Sequence, residues 1–569
     1  MEGSGLTWND GLPRVEGYSN LLWLLAVAGL GALGLDLILA ARLLGLACLA
    51  GVLALLTWRS GKGSERPAWQ HLLPGLLLFA LAAPVAAWAI GGLEQPLVAL
   101  LLALAIPLCY RLMESERPRA HTALAASLAL GLLCLTRPDG PLFTMGALLA
   151  ALLARRLAGR RMHARVLLLL ACFPLLCSAG QLAFRVQYYG AWVPNTALVK
   201  LHFSIHHLLG GLKYVVHGLL ALAPLSLAAL LWLGRAGLAR NPRALLLLVL
   251  TALWLGYVAV VGGDFFAAFR FFLPVLVFFS FALVEAAREH GGRLAAWGRS
   301  RRYTAGAVVT TGLTLFLLLQ RYDSGSRHAA GEDWEWQGRA IALALRASFA
   351  AERPLLAVTA AGCLPYWSGL PCLDMLGLND HYLPRHPPRD IGQGALAHEL
   401  GSADYVLSRR PDIVCFHVGE RVATFPSGLE MQARPEFQAA YVAVPLRLEA
   451  PRPFTATLWF RRDSPLVGLR VRGGEIRVPG HLLTAEPGTL VRSHAGRLMA
   501  VLTAACPAGI LLDGVDENWS ALVHSRPRGA VRAVLRQEGA RTRVTLRTEQ
   551  AEPILVEELL LTRGPAATH

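Results

Sequence analysis

Between residues 37 and 320 the chain carries ten apolar runs, near 37 to 57, 70 to 90, 96 to 113, 120 to 136, 141 to 155, 165 to 184, 214 to 233, 244 to 261, 270 to 287 and 303 to 320. Crossing about 30 Å of hydrocarbon takes roughly 20 helical residues, and there every backbone N–H and C=O must be paired within the segment itself. A polytopic α-helical membrane protein of about ten spans is therefore expected. Composition agrees, with 54% hydrophobic and 16% charged residues, against about 45–50% and 25% in ordinary soluble domains.

The charges set the orientation of these spans. Residues 1 to 320 hold 26 Lys and Arg against 12 Asp and Glu, and residues 321 to 569 hold 28 against 26. The excess sits in loops between apolar runs, so it is topological, and nucleic acid is excluded as a partner. The apolar stretch Asn20 to Leu33 is short and is expected to lie in the membrane interface. Alternate loops then collect nineteen Lys and Arg, beginning with Arg59, Lys62 and Arg66, while the opposite loops hold five: Arg137, Arg185, Lys200, Lys213 and Arg270. The positive-inside rule places residues 321 to 569 outside the cytoplasm, which in a bacterium means a multi-pass protein of the cytoplasmic (inner) membrane with a periplasmic C-terminal half. Met1 to Tyr18 is polar and does not have the pattern of a cleavable signal peptide. Cysteines show no metal-binding spacing, and Cys363 with Cys372 is the one candidate disulfide.

With this topology the polar residues that are neither solubilising nor topogenic all fall on the outward side. They are Glu94 in Gly-Gly-Leu-Glu-Gln, Arg137 and Asp139 in Thr-Arg-Pro-Asp-Gly, the stretch Arg185 to Lys200, and Asp264 with Arg270 in Gly-Gly-Asp-Phe-Phe-Ala-Ala-Phe-Arg. Carboxylates at span ends are costly to desolvate and are paired or face a wet cavity. Taken singly, Asp139 reads as a helix cap and Asp264 as an ion-pair partner of Arg270. Interleaved with Tyr188, Tyr189, Trp192 and Phe265, they read together as walls of one cavity. Arginine and lysine there suit a phosphate, carboxylates suit a base or a metal ligand, and the apolar spans suit a lipid chain. No cofactor is demanded, although Asp264 and Glu94 could share a divalent cation or instead pair with Arg137 and Arg270.

Beyond Arg321 the pattern changes. A helical stretch Trp334 to Phe349, strands near 355 to 360, 372 to 376 and 412 to 416, and a helical Ala403 to Arg410 alternate as in a small α/β domain over 321 to 440. From 441 to 569, short alternating runs between Gly and Pro turns predict a β-sandwich. The domain plan is thus an N-terminal loop with an interfacial helix (1 to 36), a membrane domain (37 to 320), an α/β domain and a sandwich. Asp374, Asp380, His381, His386 and His398 match no compact metal motif; acceptor contact or docking suits them better. Trp519 could bind carbohydrate or serve the core.

These residues resemble the polytopic bacterial GT-C glycosyltransferases related to terminal arabinofuranosyltransferases and pilin arabinosyltransferases. The likeness rests on Arg14 to Trp23, Gly92-Leu-Glu94, Thr136-Arg-Pro-Asp-Gly140, Tyr188-Tyr-Gly190, Pro194-Asn-Thr196 with Lys200, and Gly262-Gly-Asp-Phe265 with Arg270. Asp374 to Leu378 with Asp380 and His381, and Asp404 to Pro411, resemble its soluble-domain signatures. The resemblance implies transfer of arabinofuranose or a similar sugar from a polyprenyl-phosphate donor to an envelope glycan, lipid or pilin acceptor. Arg137, Lys200 and Arg270 would stabilise the leaving phosphate, with Asp139, Tyr188, Tyr189 and Asn195 bordering the donor.

The family's N-terminal acidic pair, which bears the presumed catalytic aspartate, is not found here. Met1 to Asn9 resembles the family's passage shortly after that pair, so the expectation is either a chain preceded by roughly 30 to 50 further residues, one span and a loop, or an inactive protein. Substitutes for the base are Glu16, Asp264 and Glu94; Asp36 reads as a helix cap and Asp10 as a turn residue. A lipid-linked sugar transporter and a non-catalytic envelope scaffold are the competing classes. A transporter predicts broken helices and charges at mid-membrane, and these spans are nearly free of charge at their centres.

Overall fold

The computed structural model describes residues 5–9, 13–58, 69–160, 163–200, 202–295, 299–528 and 531–563. They form two compact units, one from residues up to Leu6 with Tyr18–Glu332, the other from Thr7–Gly17 with Asp333 onward. The turn expected at Asp10 and the basic loop Arg59, Lys62 and Arg66 lie outside the described residues.

The first unit is helical: α1 (Leu21–Ala32), α2 (Leu37–Trp58), α3 (Trp69–Leu81), α4 (Ala83–Ile90), α5 (Gln95–Glu114), α6 (Ala120–Thr136), α7 (Pro141–Leu157), α8 (Ala164–Tyr189), α9 (Asn195–Lys200), α10 (Ile205–Ala221), α11 (Leu225–Leu238), α12 (Pro242–Val260), α13 (Leu273–Ala295), α14 (Arg299–Tyr322) and α15 (Ser324–Gly331). Among the described residues six helices are long and apolar enough to cross a membrane, or eight if the bent pairs α3–α4 and α10–α11 each count as one. The protein is a multi-pass membrane protein. Two further expected spans, α6 and α7, are helices of 17 residues each.

The single straight span expected over 214 to 233 is not found. The chain bends there by 105° between α10 and α11, where Pro224 stands at the cap of α11 and cannot donate to a continuing helix. Helix α5 and the segment containing α13 are buried on most sides, whereas α8 and α14 present mostly exposed apolar faces. Trp254 stacks on Phe143 with ring centroids 4.9 Å apart and donates to the Phe271 carbonyl at 2.7 Å, fixing α7, α12 and the loop before α13 together. Asp36 caps α2 as expected, accepting from the Ile38 and Leu39 amides at 3.0 and 2.9 Å.

The second unit opens with α16 (Trp334–Phe349), whose Ile341, Ala342, Leu345 and Phe349 form one buried face. It continues through α17 (Cys363–Ser368), α18 (Ala403–Ser408), α19 (Pro426–Gln432) and α20 (Pro435–Ala440). Its strands are β1 (Leu356–Val358), β2 (Cys372–Asp374), β3 (Ile413–Cys415), β4 (Tyr441–Leu448), β5 (Phe454–Arg461), β6 (Arg470–Arg472), β7 (Glu475–Pro479), β8 (Leu490–His494), β9 (Arg497–Leu502), β10 (Ala508–Asp513), β11 (Trp519–Arg526), β12 (Val531–Glu538), β13 (Arg541–Thr548) and β14 (Ile554–Arg563).

One sheet runs in the order β2-β1-β3-β5-β4-β8-β9-β14-β7-β6, with β11 on β14; a second is β10-β13-β12. The boundary expected at residue 441 is not a break. Parallel β1–β3 passes directly into antiparallel β3–β5, with Ile413 opposite Phe460. The smaller sheet supplies Ile510, Leu512, Val544 and Leu546 to the same core. Trp519 packs against this core. Cys363 and Cys372 are free thiols, not the disulfide considered above.

Candidate functional site

Two loops of the helical unit each bring one charged pair, and a third brings Glu94, to the same end of the bundle. After α6, Thr-Arg-Pro-Asp-Gly turns the chain into α7. Gly140 is required there, since a Cβ would stand 2.5 Å from the Leu133 carbonyl oxygen. Arg137 Nε donates to both Asp139 oxygens, at 2.8 and 3.1 Å, and Nη2 donates to Oδ2 at 2.6 Å. Asp139 thus grips an arginine, and its side chain does not cap α7 as expected. Arg137 Nη1 also donates to Glu94, just before α5. Glu94 accepts in addition from Asn20 at 3.1 Å and Gln95 at 3.4 Å.

After α12, Gly262 and Gly263 both take left-handed conformations, φ +89° and +83°. Only glycine adopts these readily, and the turn returns the chain so that Asp264 meets Arg270. Arg270 Nε and Nη2 donate to the two Asp264 oxygens at 2.8 and 3.0 Å, the pairing that the spacing suggested. The Arg137 and Arg270 guanidinium carbons lie 5.0 and 4.9 Å from the centre of one ring, Phe271; Arg270 also lies over Phe266 at 4.6 Å and Trp88 at 5.7 Å. These distances suit cation–π contact. Asn20, Gln95, Trp88, Phe266 and Phe271 were not singled out from sequence; each lies in or beside a quoted motif, but nothing in the motif marks its partner.

Lys200, at the end of α9, completes the cluster. Its ammonium lies 5.2 Å from the Phe265 ring centre, and among the described residues no carboxylate stands within ion-pair distance of it. Burial, with the nearby Arg270 and Arg137 charges, pushes its pKa down to about 8, against a smaller opposing pull from Asp264 and Glu94. Burial pushes Glu94 the other way, but Arg137 and Arg270 outweigh it and hold that carboxyl below its ordinary value. Arg137, Lys200 and Arg270 thus face Glu94, Asp139 and Asp264. Each of these carboxylates already accepts from guanidinium N–H groups.

Tyr188 and Tyr189 hold the N-terminal segment. Tyr188 accepts from the Leu6 amide at 3.0 Å, Tyr189 donates to the Leu6 carbonyl at 3.1 Å, and the Tyr189 and Tyr18 hydroxyls hydrogen-bond at 3.2 Å. Asn195 is buried at the start of α9.

The other expected residues lie in the second unit. Glu16 is buried there. Asp374 accepts from the Leu376 amide at 2.9 Å and from Asn379 N and Nδ2 at 2.8 and 3.2 Å; burial nevertheless pushes its pKa up to about 6. Asp380 accepts from the Tyr382 and Leu383 amides, both at 2.8 Å, and from the Tyr405 hydroxyl at 2.7 Å. With the exposed His381, they line a cavity of about 280 Å³. Among the described residues no group of three His, Cys, Asp or Glu is placed to hold a metal ion.

Comparison with known proteins bears on both units. A family model described as a domain of unknown function (DUF8728) matches residues 327–463, through the β3–β5 seam. A solved ArnT from Cupriavidus metallidurans superposes in its apo state with a TM-score of 0.46 at 16% identity, covering 66% of this chain and 78% of that one. Bound to undecaprenyl phosphate, it gives 0.43 at 16% identity over 63% and 76%. The arabinofuranosyltransferase AftD from Mycobacteria gives 0.33 at 12% identity over 96% and 52%. The resemblance found in the sequence is met by a curated relative, the terminal beta-(1->2)-arabinofuranosyltransferase of Mycobacterium tuberculosis, 34% identical over 209 residues. That stretch is 35% of this chain and 32% of the relative, so the likeness spans about a third of that protein's length.

Proposed function

We propose that this chain is a membrane glycosyltransferase that moves arabinofuranose or a similar sugar from a polyprenyl-phosphate donor to an envelope glycan, lipid or protein acceptor. The observation that carries this reading is the cluster of Arg137, Arg270 and Lys200, in which carboxylates aim two cations and leave the third uncommitted. Such an arrangement suits a phosphate whose charge grows as it leaves. The likeness to an arabinofuranosyltransferase supports the sugar class. The surplus of arginine at the other loops supports a cytoplasmic membrane location with this cluster, and the second unit, on the periplasmic side.

In this reaction an acceptor hydroxyl oxygen bonds to the anomeric carbon. The bond from that carbon to the phosphate oxygen breaks, and polyprenyl phosphate departs with the electron pair. The acceptor's proton passes to a carboxylate. Arg137 and Arg270 hold the Glu94 carboxyl below its ordinary value, and Glu94 and Asp264 each accept from an arginine, so their part is to aim Arg137 and Arg270. Asp374, Asp380 and His381 line a cavity within the second unit that is the proposed acceptor contact.

The test is transfer of labelled sugar from membrane polyprenyl-phosphate donor to glycan or pilin, comparing the unaltered chain with Arg137→Ala and Asp264→Asn at equal expression. Loss in both variants supports the site. Unchanged transfer in both removes the cluster from the reaction, and no transfer by the unaltered chain with every donor sugar of the host removes the function.

A further inference from the structure

The end of the helical unit opposite the ion-pair cluster contains a second charged cavity. Helices α5, α7 and α12 each join the two ends. At about 1.5 Å per residue the 20 residues of α5 put the ends a bilayer core apart. The cavity, about 700 Å³, is lined by Glu114, Arg160, Arg240, Arg243 and Glu285, with Leu157 at its wall.

Its two carboxylates are already committed. Arg243 donates to Glu114 at 2.6 and 3.3 Å and to Glu285 at 2.8 Å, and Arg288 donates to Glu285 at 3.1 Å. Arg160 reaches outward to the exposed Glu116 at 3.0 Å. Arg240 has no carboxylate within ion-pair distance among the described residues. It sits at φ +62° as the left-handed residue that closes α11, its amide donating to the Gly237 carbonyl at 2.9 Å and the Asn241 amide to the Ala236 carbonyl at 3.0 Å.

The walls leading away from this cavity are apolar and exposed. Met145, Leu149 and Leu152 lie along one exposed face of α7 that leads to Leu157, and Leu238, two residues before Arg240, is 87% exposed. Cations at a cavity mouth with an apolar exposed stripe running from it match a molecule with a phosphate at one end and acyl chains at the other. We propose that this cavity binds the headgroup of an anionic phospholipid, with Arg240 and Arg160 on its phosphate and its chains along α7. A free phosphate shares the headgroup chemistry but makes no use of the stripe.

The experiment uses the full chain, purified in detergent and exchanged with phosphatidylglycerol or phosphatidylcholine; lipid retained per chain after washing is read by native mass spectrometry. Phosphatidylglycerol is expected to be retained at least tenfold over phosphatidylcholine, and Arg160→Ala with Arg240→Ala to remove that preference. Glycerol phosphate added in millimolar excess is expected not to displace it. Equal retention of the two lipids, or an unchanged preference in the double variant, overturns the proposal. Displacement by glycerol phosphate makes the cavity a soluble-anion site and overturns the lipid assignment. Should the double variant fail to fold, Arg160→Ala alone, at an exposed side chain, must reduce the preference or the proposal falls. Because the readout is lipid and not sugar, its failure is distinct from failure of the transferase reading.

Discussion

The two ends of the helical unit use the same chemistry, arginine against carboxylate, to different effect. At the loop end Arg137 pairs with Asp139 two residues away and with Glu94 43 residues away, and Arg270 pairs with Asp264 six residues away. At the other end Arg243 pairs with Glu114 and Glu285, 129 and 42 residues away. Pairs local in sequence shape a loop and aim a guanidinium. The Arg243 pairs clamp helices, here α5, α12 and α13. Both ends set an aromatic face against arginine, Arg243 lying 5.1 Å from the Tyr110 ring centre. Among the described residues the loop end adds a lysine with no carboxylate at ion-pair distance, which is why that end is the candidate for chemistry.

Arg137→Ala should produce the largest effect. It removes a proposed phosphate ligand and also leaves Glu94 and Asp139 buried without their partner. Transfer should fall by about 10³-fold, and the chain should lose about 3–5 kcal/mol of stability, the usual result of breaking a buried pair from one side. Arg137→Lys should restore part of the stability and little of the rate, because an ammonium cannot hold both carboxylates in a fork. Transfer per folded molecule together with thermal unfolding in detergent separates the two terms.

Arg243→Ala breaks the clamp at the other end and should cost a similar 3–5 kcal/mol in unfolding. The fall in transfer per folded molecule should be at least a hundredfold smaller than in Arg137→Ala. If the two variants lose transfer equally, the distinction between an aiming pair and a clamping pair is wrong. Asp264→Asn should lower transfer by about 10²-fold. Its cost is the smaller because Arg270 keeps its charge and its place against Phe266 and Phe271, and loses only the carboxylate that fixes its angle.

How much of this was legible in the sequence follows the same division. The apolar runs announced nearly every helix, since length and hydropathy have one cause in a bilayer. The 105° bend between α10 and α11 had its signal in Pro224, but a proline within an apolar run marks a break and not its angle. Asp264 with Arg270 could be read off, being within one loop. Glu94 with Arg137, 43 residues apart, could be listed on one face but not joined. Likewise the seam of β3 with β5 depends on Ile413 meeting Phe460, a register that local alternation does not fix.

The smallest expected effect is on pH, and it concerns the lysine alone. Burial and the neighbouring arginines bring Lys200 to about 8, so its ammonium is present below that pH and is lost as pH rises through it. If the charged form binds donor phosphate, kcat/KM for donor should be level up to about pH 7.5 and then fall by up to tenfold per pH unit. Bound phosphate favours the ammonium, so the limb in kcat should lie at higher pH than the limb in kcat/KM. Lys200→Arg stays charged throughout this range and should remove the alkaline fall at some cost in absolute rate, while Lys200→Gln should give a low profile without the limb. An unaltered limb in Lys200→Arg would assign it to another group and leave Arg137 and Arg270 as the cations of the site.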